Sequence, residues 1–164
     1  MDQQKRLFWI KLIAVLAIIL SSLLIYEHFK SSPSEFCNIG NKLDCGVVNK
    51  SPYSNIDGVF YFLNIDLGFP VPLIDFPFPV SVLGFLTFLF ILISSYKLNS
   101  KKKFLNLNKS QLIKTLKILL ILGILFSIYL LYIEKFILLM YCIYCIILDV
   151  LILIETILVF KLKW

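Results

Sequence analysis

Residues 136–160 read FILLMYCIYCIILDVLILIETILVF. The run exceeds the ~20 apolar residues needed to cross the ~30 Å hydrocarbon core of a bilayer. Near its start it carries a Cys-x-x-Cys, Cys142 and Cys145. Three further runs share its character, at 7–26, 78–96 and 116–133. The whole chain agrees: 60% of its 164 residues are hydrophobic and 16% charged, with a mean hydropathy of +0.92. Such figures lie outside the soluble globular range. Inside a bilayer a crossing segment must satisfy its own backbone groups, so these runs are helices. The expected fold is an all-α membrane protein: one domain over residues 1–164, a four-transmembrane-helix bundle with a long extracytoplasmic loop between helices one and two.

The first run follows Lys5 and Arg6 and so invites comparison with a signal peptide. It is longer than the ~7–15 residues of a signal core, and no small-residue cleavage site follows it. It reads as a retained helix, with Lys11 snorkelling towards the headgroups.

The net charge of +6 is unevenly placed. Lys97, Lys101, Lys102, Lys103, Lys109 and Lys114 cluster around the second loop, whereas the first loop holds Glu27, Glu35, Asp44, Asp57, Asp66 and Asp75. The positive-inside rule then puts both termini and the lysine loop in the cytoplasm. The first loop and the short turn at Glu134–Lys135 face outward. The expected location is a multi-pass position in the cell membrane. The basic charge orients the chain and touches anionic lipid; nucleic acid is not an expected partner.

This topology puts Cys37, Cys45, Cys142 and Cys145, the only cysteines, on the extracytoplasmic side, where disulfides persist. A bracing disulfide suits Cys37 and Cys45 but suits Cys142 and Cys145 poorly, since so small a loop gains little from closure. A four-thiolate zinc site fits an oxidising membrane surface badly, so no metal is expected. Redox exchange fits best. At a helix start, unsatisfied N–H groups and the helix dipole favour a thiolate, and a thiolate attacking a neighbouring disulfide moves two electrons. The chain offers no dinucleotide-binding glycine motif and no haem ligand set, its one histidine being His28. The expected acceptor is a lipid-soluble quinone such as menaquinone or ubiquinone, held in an apolar pocket.

The stretch FCNIGNKLDCGVVNKSPYS resembles the first loop of the vitamin K epoxide reductase family, with Cys37, Cys45 and then Ser51 in the family's spacing. PFPVSVLGFLTF is similar to the start of that family's second helix through Pro79, Ser81 and Gly84, and YCIYC matches its Cys-x-x-Cys. The resemblance spans about residues 7–160. Bacterial B-type disulfide-forming quinone reductases share the chemistry but place the Cys-x-x-Cys loop first.

The resemblance implies that Cys142 and Cys145 are the active pair, with Cys145 beside the quinone. Cys37 and Cys45 would be the shuttle pair, Cys45 bridging transiently to Cys142 and Cys37 meeting the partner. Ser51 would set a hydroxyl against a quinone carbonyl. It also implies a thioredoxin-like extracytoplasmic partner, expected as a separate chain because this one ends at Trp164. Where vitamin K-reducing members use an asparagine and a tyrosine, ungapped matching gives Val80 and Asp149, which turns the expectation from epoxide towards plain quinone reduction.

The segment 52–78 is rich in Phe and Pro and reads as a surface segment, either a lid over the quinone or a bland anchor. Asp149 follows Cys145 by one helical turn, on the same face. A carboxyl there can relay a proton to a quinone or pair with a polar group such as Ser127. Glu155 is expected to snorkel or to pair with Lys11. The function expected is an integral membrane oxidoreductase carrying electrons from the partner's dithiol through two cysteine pairs to a quinone, in support of disulfide formation. The alternatives are vitamin K epoxide or quinone reduction in a eukaryotic reticulum membrane, and a non-enzymatic membrane protein braced by disulfides.

Overall fold

The structure is a computed structural model that describes residues 3–31, 38–39, 42–66, 68–69, 78–99 and 108–162. Four helices are long and apolar enough to span a membrane. They are α1 (Gln3–Phe29), α4 (Val80–Asn99), α5 (Lys109–Tyr132) and α6 (Ile143–Phe160). This is the expected all-α membrane bundle.

In lipid these helices are apolar on every side, so contrast in hydrophobicity cannot choose their contact faces; small residues that let backbones approach do. On α1 the inward line is Ala14, Ala17 and Ser21, each fully buried. The opposite line, including Phe8, Leu12, Leu16 and Ile19, is exposed and available to lipid. Gly84 of α4 sits over Ser21, where an added Cβ would come to 3.6 Å from its Oγ. Between α5 and α6 the close approach falls at Gly123, where a Cβ would collide with Ile152 Cδ1. Phe88, Ile91, Leu98, Leu116, Leu120 and Val159 complete the core of the bundle. At its lower end Arg6 Nη1 donates to the Lys161 carbonyl, tying the first helix to the end of the last.

The opposite end carries the long connection from α1 to α4. A short antiparallel pair, β1 (Asn38–Ile39) with β2 (Leu43–Asp44), leads into α2 (Cys45–Asn49). Asp44 caps α2: its Oδ1 accepts from Val47 N–H at 3.0 Å, as an N-cap carboxylate should. A 3₁₀ turn at Pro52–Ser54, the single helical turn α3 (Gly58–Tyr61) and a π turn at Phe62–Asp66 follow. The described part of the segment therefore breaks into short turns; residues 67 and 70–77 of the expected lid or anchor lie outside the described residues. Phe62 holds it to α5 by edge-on contacts with Tyr129 and Tyr132, at 5.7 and 5.8 Å between centroids. Its far end is pinned where Ile56 N–H meets the Phe78 carbonyl at 3.0 Å.

The fourth span corrects the expected boundaries. α5 runs on into a π turn at Ile133–Leu138, and Leu139 takes a left-handed conformation with φ 53°. Residues 136–142 are therefore outside α6, which begins at Ile143. A second correction concerns Lys11 and Glu155. Lys11 Nζ lies 4.3 Å from the Tyr96 ring centroid, a cation–π contact that keeps the ammonium on α4. Glu155 is fully buried, with neither carboxyl oxygen hydrogen-bonded.

Candidate redox site

Two elements far apart in sequence meet at the upper end of the bundle. Asp44 N–H donates to the Tyr141 carbonyl at 3.1 Å, and Tyr141 N–H donates to the Lys42 carbonyl at 2.9 Å. Asp44 and Tyr141 each immediately precede a cysteine. The result is a buried cluster of Leu24, Cys45, Val48 and Cys142, with Cys145 packed against it. Cys45 and Cys142 have no solvent exposure.

Cys142 and Cys145 form a disulfide with Cα atoms 5.2 Å apart. Cys142 is the N-cap of α6, in extended conformation, rather than a residue of its first turn. Its Sγ accepts from Cys145 N–H at 3.2 Å. The sulfur thus occupies the place of a capping oxygen, where the orphan N–H groups of the helix start favour negative charge. Cys45 is itself disulfide-bonded, whereas Cys37 lies outside the described residues.

α2 is held in place by polar contacts with α1. Asn49 Nδ2 donates to the Leu24 carbonyl at 2.6 Å, and His28 Nδ1 approaches the Asn49 carbonyl at 2.7 Å. Ser54 Oγ donates to the same carbonyl at 2.6 Å. These bonds fix Cys45 and Ser51, which flank the anchor.

Beneath the cluster lies a cavity of about 320 Å³ between the helices, within the range of small-molecule sites. Cys145 stands in its wall together with Ser51 and Asp149. Ser51 is buried, and its hydroxyl donates to the Val48 carbonyl at 2.8 Å. Asp149 is hydrogen-bonded to Ser127, also in the wall. Ser21 and Ser81 line the cavity too, and the hydroxyl of each is buried without a hydrogen-bond partner. Tyr53 and Ser54 of the covering segment close one side. Tyr53 donates to Asp66 Oδ2 at 3.0 Å. Burial, then that bond and the Asp66 charge, hold its phenol above the ordinary value.

One residue of the site was not foreseen. Glu134, in the π turn at the end of α5, is 2% exposed and lines the cavity. Its Oε2 accepts from Cys142 N–H at 3.3 Å. A Glu134 carboxylate oxygen and the sulfurs of Cys142 and Cys145 all lie within 4.8 Å of one another. Among the described residues this is the one cluster with metal-ligand character, and both its sulfurs are committed to the disulfide. Glu134 gave no signal beyond being an acid in an apolar run.

The model of the vitamin K epoxide reductase family matches residues 8–160. The chain belongs to the vitamin K epoxide reductase family. No individual curated protein matches it. Family membership makes the protein a multi-pass membrane oxidoreductase of a quinone-linked redox family. Pro79, Ser81 and Gly84, quoted above for their resemblance to the family, fall together where α4 begins. Pro79 is buried there, while Ser81 and Gly84 line the cavity.

Proposed function

We propose that the protein oxidises the dithiol of a separate, thioredoxin-like extracytoplasmic protein and reduces a membrane quinone, so supporting disulfide formation. The observation that carries this reading is the division of the disulfide between two environments. Cys145 stands in the wall of the apolar cavity, while Cys142 packs with Cys45 in the buried cluster above it.

Electrons enter through the partner. Its thiolate attacks the disulfide of the shuttle pair, Cys37 and Cys45, at Cys37. The Cys45 thiolate so released attacks Cys142 Sγ, and the Cys142–Cys145 bond breaks with Cys145 leaving as thiolate. The partner's second thiolate then attacks the partner–Cys37 bond, which closes the partner's own disulfide and frees the Cys37 thiolate; Cys37 attacks Cys45, re-forms the shuttle disulfide and leaves the active pair reduced. Each exchange is an in-line displacement at sulfur that moves two electrons.

The cavity fits a quinone: its walls are apolar, its volume suits a substituted ring, and the unpartnered hydroxyls of Ser21 and Ser81 suit ring carbonyls. A bound quinone supplies a two-electron acceptor. Ser51 serves the same end when its hydroxyl turns from the Val48 carbonyl. Asp149, on the Cys145 face of α6, holds a proton for the reduced ring. Val80 and Asp149 occupy the places of the asparagine and tyrosine of vitamin K-reducing members, which favours quinone over epoxide as substrate. A bracing disulfide alone gives no reason for orphan hydroxyls around a cavity walled by Cys145. The lysine-rich second loop and the acids of the first favour cysteines outside and termini in the cytoplasm.

The test is direct. The purified protein is reduced with dithiothreitol, freed of it, and given a soluble ubiquinone analogue; thiols are counted by maleimide gel shift. Two thiols are lost for each quinone reduced. A pair that stays reduced overturns the proposal.

A further inference from the structure

We propose that Glu134 is the proton store of the Cys142–Cys145 pair, giving a proton to the Cys142 sulfur as the disulfide opens and taking it back as it closes. The inference rests on the thiol–quinone reading and adds a residue to it. Three observations carry it. Glu134 is 2% exposed, so its carboxyl answers to the site rather than to water. A carboxylate oxygen lies within 4.8 Å of both sulfurs, and Oε2 is fixed beside Cys142 by that residue's own N–H. The residue also lines the cavity, so one carboxyl borders both the sulfur and the acceptor space. Lys135, its neighbour in the chain, is exposed with its ammonium over the Phe136 ring.

The need for such a store follows from charge. Complete reduction releases two thiolates side by side in a buried site, and like charges so placed are costly. One sulfur must therefore be protonated as it leaves. Protonated Glu134 donates to Cys142 Sγ when Cys37 displaces it from Cys45. In the return step two electrons leave the Cys142 thiol and the Cys145 thiolate, the S–S bond re-forms, and Glu134 takes back the Cys142 proton. The two protons that the ring oxygens need come by way of Asp149, its own and one that follows it from water, and Asp149 is then reprotonated from water. These replace the two protons released by the partner's dithiol, so both carboxyls end protonated as they began, and the sum is dithiol plus quinone to disulfide plus hydroquinone.

Two substitutions separate this from a positioning role. Glu134→Gln keeps an oxygen for the Cys142 N–H but carries no proton. Glu134→Asp carries a proton on a shorter arm that reaches the N–H poorly. Rates are read in two assays: reduction of the pair by dithiothreitol without quinone, and single-turnover oxidation by a soluble ubiquinone analogue. Loss of a placed proton carrier slows a step by ~10²-fold or more. The expected order is parent, then Asp, then Gln, in both assays. A Gln variant as fast as the parent, or at least as fast as the Asp variant, overturns the proposal. If the parent reacts with dithiothreitol in this Glu134-dependent way but not with quinone, the thiol–quinone reading fails and the proton store stands. If Glu134→Gln fails to fold, infrared difference spectra of the oxidised and reduced parent decide. A protonated-carboxyl band that changes with redox state must move in Glu134→Asp; a band unmoved there overturns the assignment.

Discussion

The main chain of Asp44 is hydrogen-bonded to that of Tyr141, N–H to carbonyl at 3.1 Å, and each of these residues immediately precedes a cysteine. One backbone contact thereby registers the Cys45 segment against the Cys142 segment. The same Asp44 caps α2 through its side chain, so the residue that sets the register also fixes the first turn holding Cys45.

That double duty predicts the behaviour of Asp44→Ala. The main-chain bond survives, while the cap is lost at a cost of about 1 kcal/mol. Amide exchange across Cys45–Asn49 rises, and disulfide transfer between Cys45 and Cys142 slows. Hydrogen-exchange mass spectrometry reads the first, and quenched-flow thiol trapping the second. Unchanged exchange over α2 would show that the cap contributes nothing to its placement.

Cys145→Ser leaves Cys142 without its partner beside a buried Cys45. The expected product in oxidised membranes is a Cys45–Cys142 bridge, visible by peptide mass spectrometry, together with complete loss of quinone-dependent thiol oxidation. Retained quinone reduction in this variant would remove the pair from the electron path.

Asp149→Asn is predicted to slow quinone reduction by ~10²–10⁴-fold while leaving exchange among the cysteines intact. Asp149 is bonded to Ser127, so Ser127→Ala serves as the control for structure. If both variants lose thermal stability and cysteine exchange together, Asp149 is a packing residue and no more.

Gly123→Ala forces a methyl group into Ile152. The contact is with the movable end of Ile152, which borders the cavity, so the expected cost is about 1 kcal/mol, the low end of overpacking, read as a lower Tm in detergent. Ile152→Ala in the same chain should recover part of the loss, because the two side chains contest one space. Additive losses would contradict the close approach of α5 and α6.

Phe62→Ala removes the aromatic contacts that fasten the covering segment to Tyr129 and Tyr132. A raised KM for the soluble quinone analogue, with unchanged dithiothreitol reduction of the pair, would mark the segment as part of the quinone pocket. No change in KM would leave it a surface anchor.

The four spans were legible because bilayer thickness and backbone satisfaction leave a long apolar run one structure to adopt. The end of α5 and the start of α6 were not. Apolarity continues from Phe136 to Met140 without a break, so nothing local marks the π turn or the left-handed Leu139; the ladder of Tyr141 with Lys42 and Asp44, a contact across the sequence, decides where α6 begins. The same holds for Glu134, which the sequence shows only as an acid beside Lys135 in an otherwise apolar run. Ser51 and Asp149 were placed at the cavity by motif and by helical spacing respectively, and both line it. Glu155, expected to snorkel or to pair with Lys11, is instead fully buried with neither carboxyl oxygen hydrogen-bonded, while the Lys11 ammonium lies over Tyr96 of α4.

Cys45 and Cys142 are wholly enclosed, and this enclosure acts as electrical insulation. Direct attack by a large protein thiol on either of these two sulfurs is hindered, because neither has accessible surface. On the proposed thiol–quinone reading, the oxidation level of the inner pair is then governed chiefly by its two terminals, the shuttle sulfur and the ring in the cavity, and the protein would work as a shielded conductor between them.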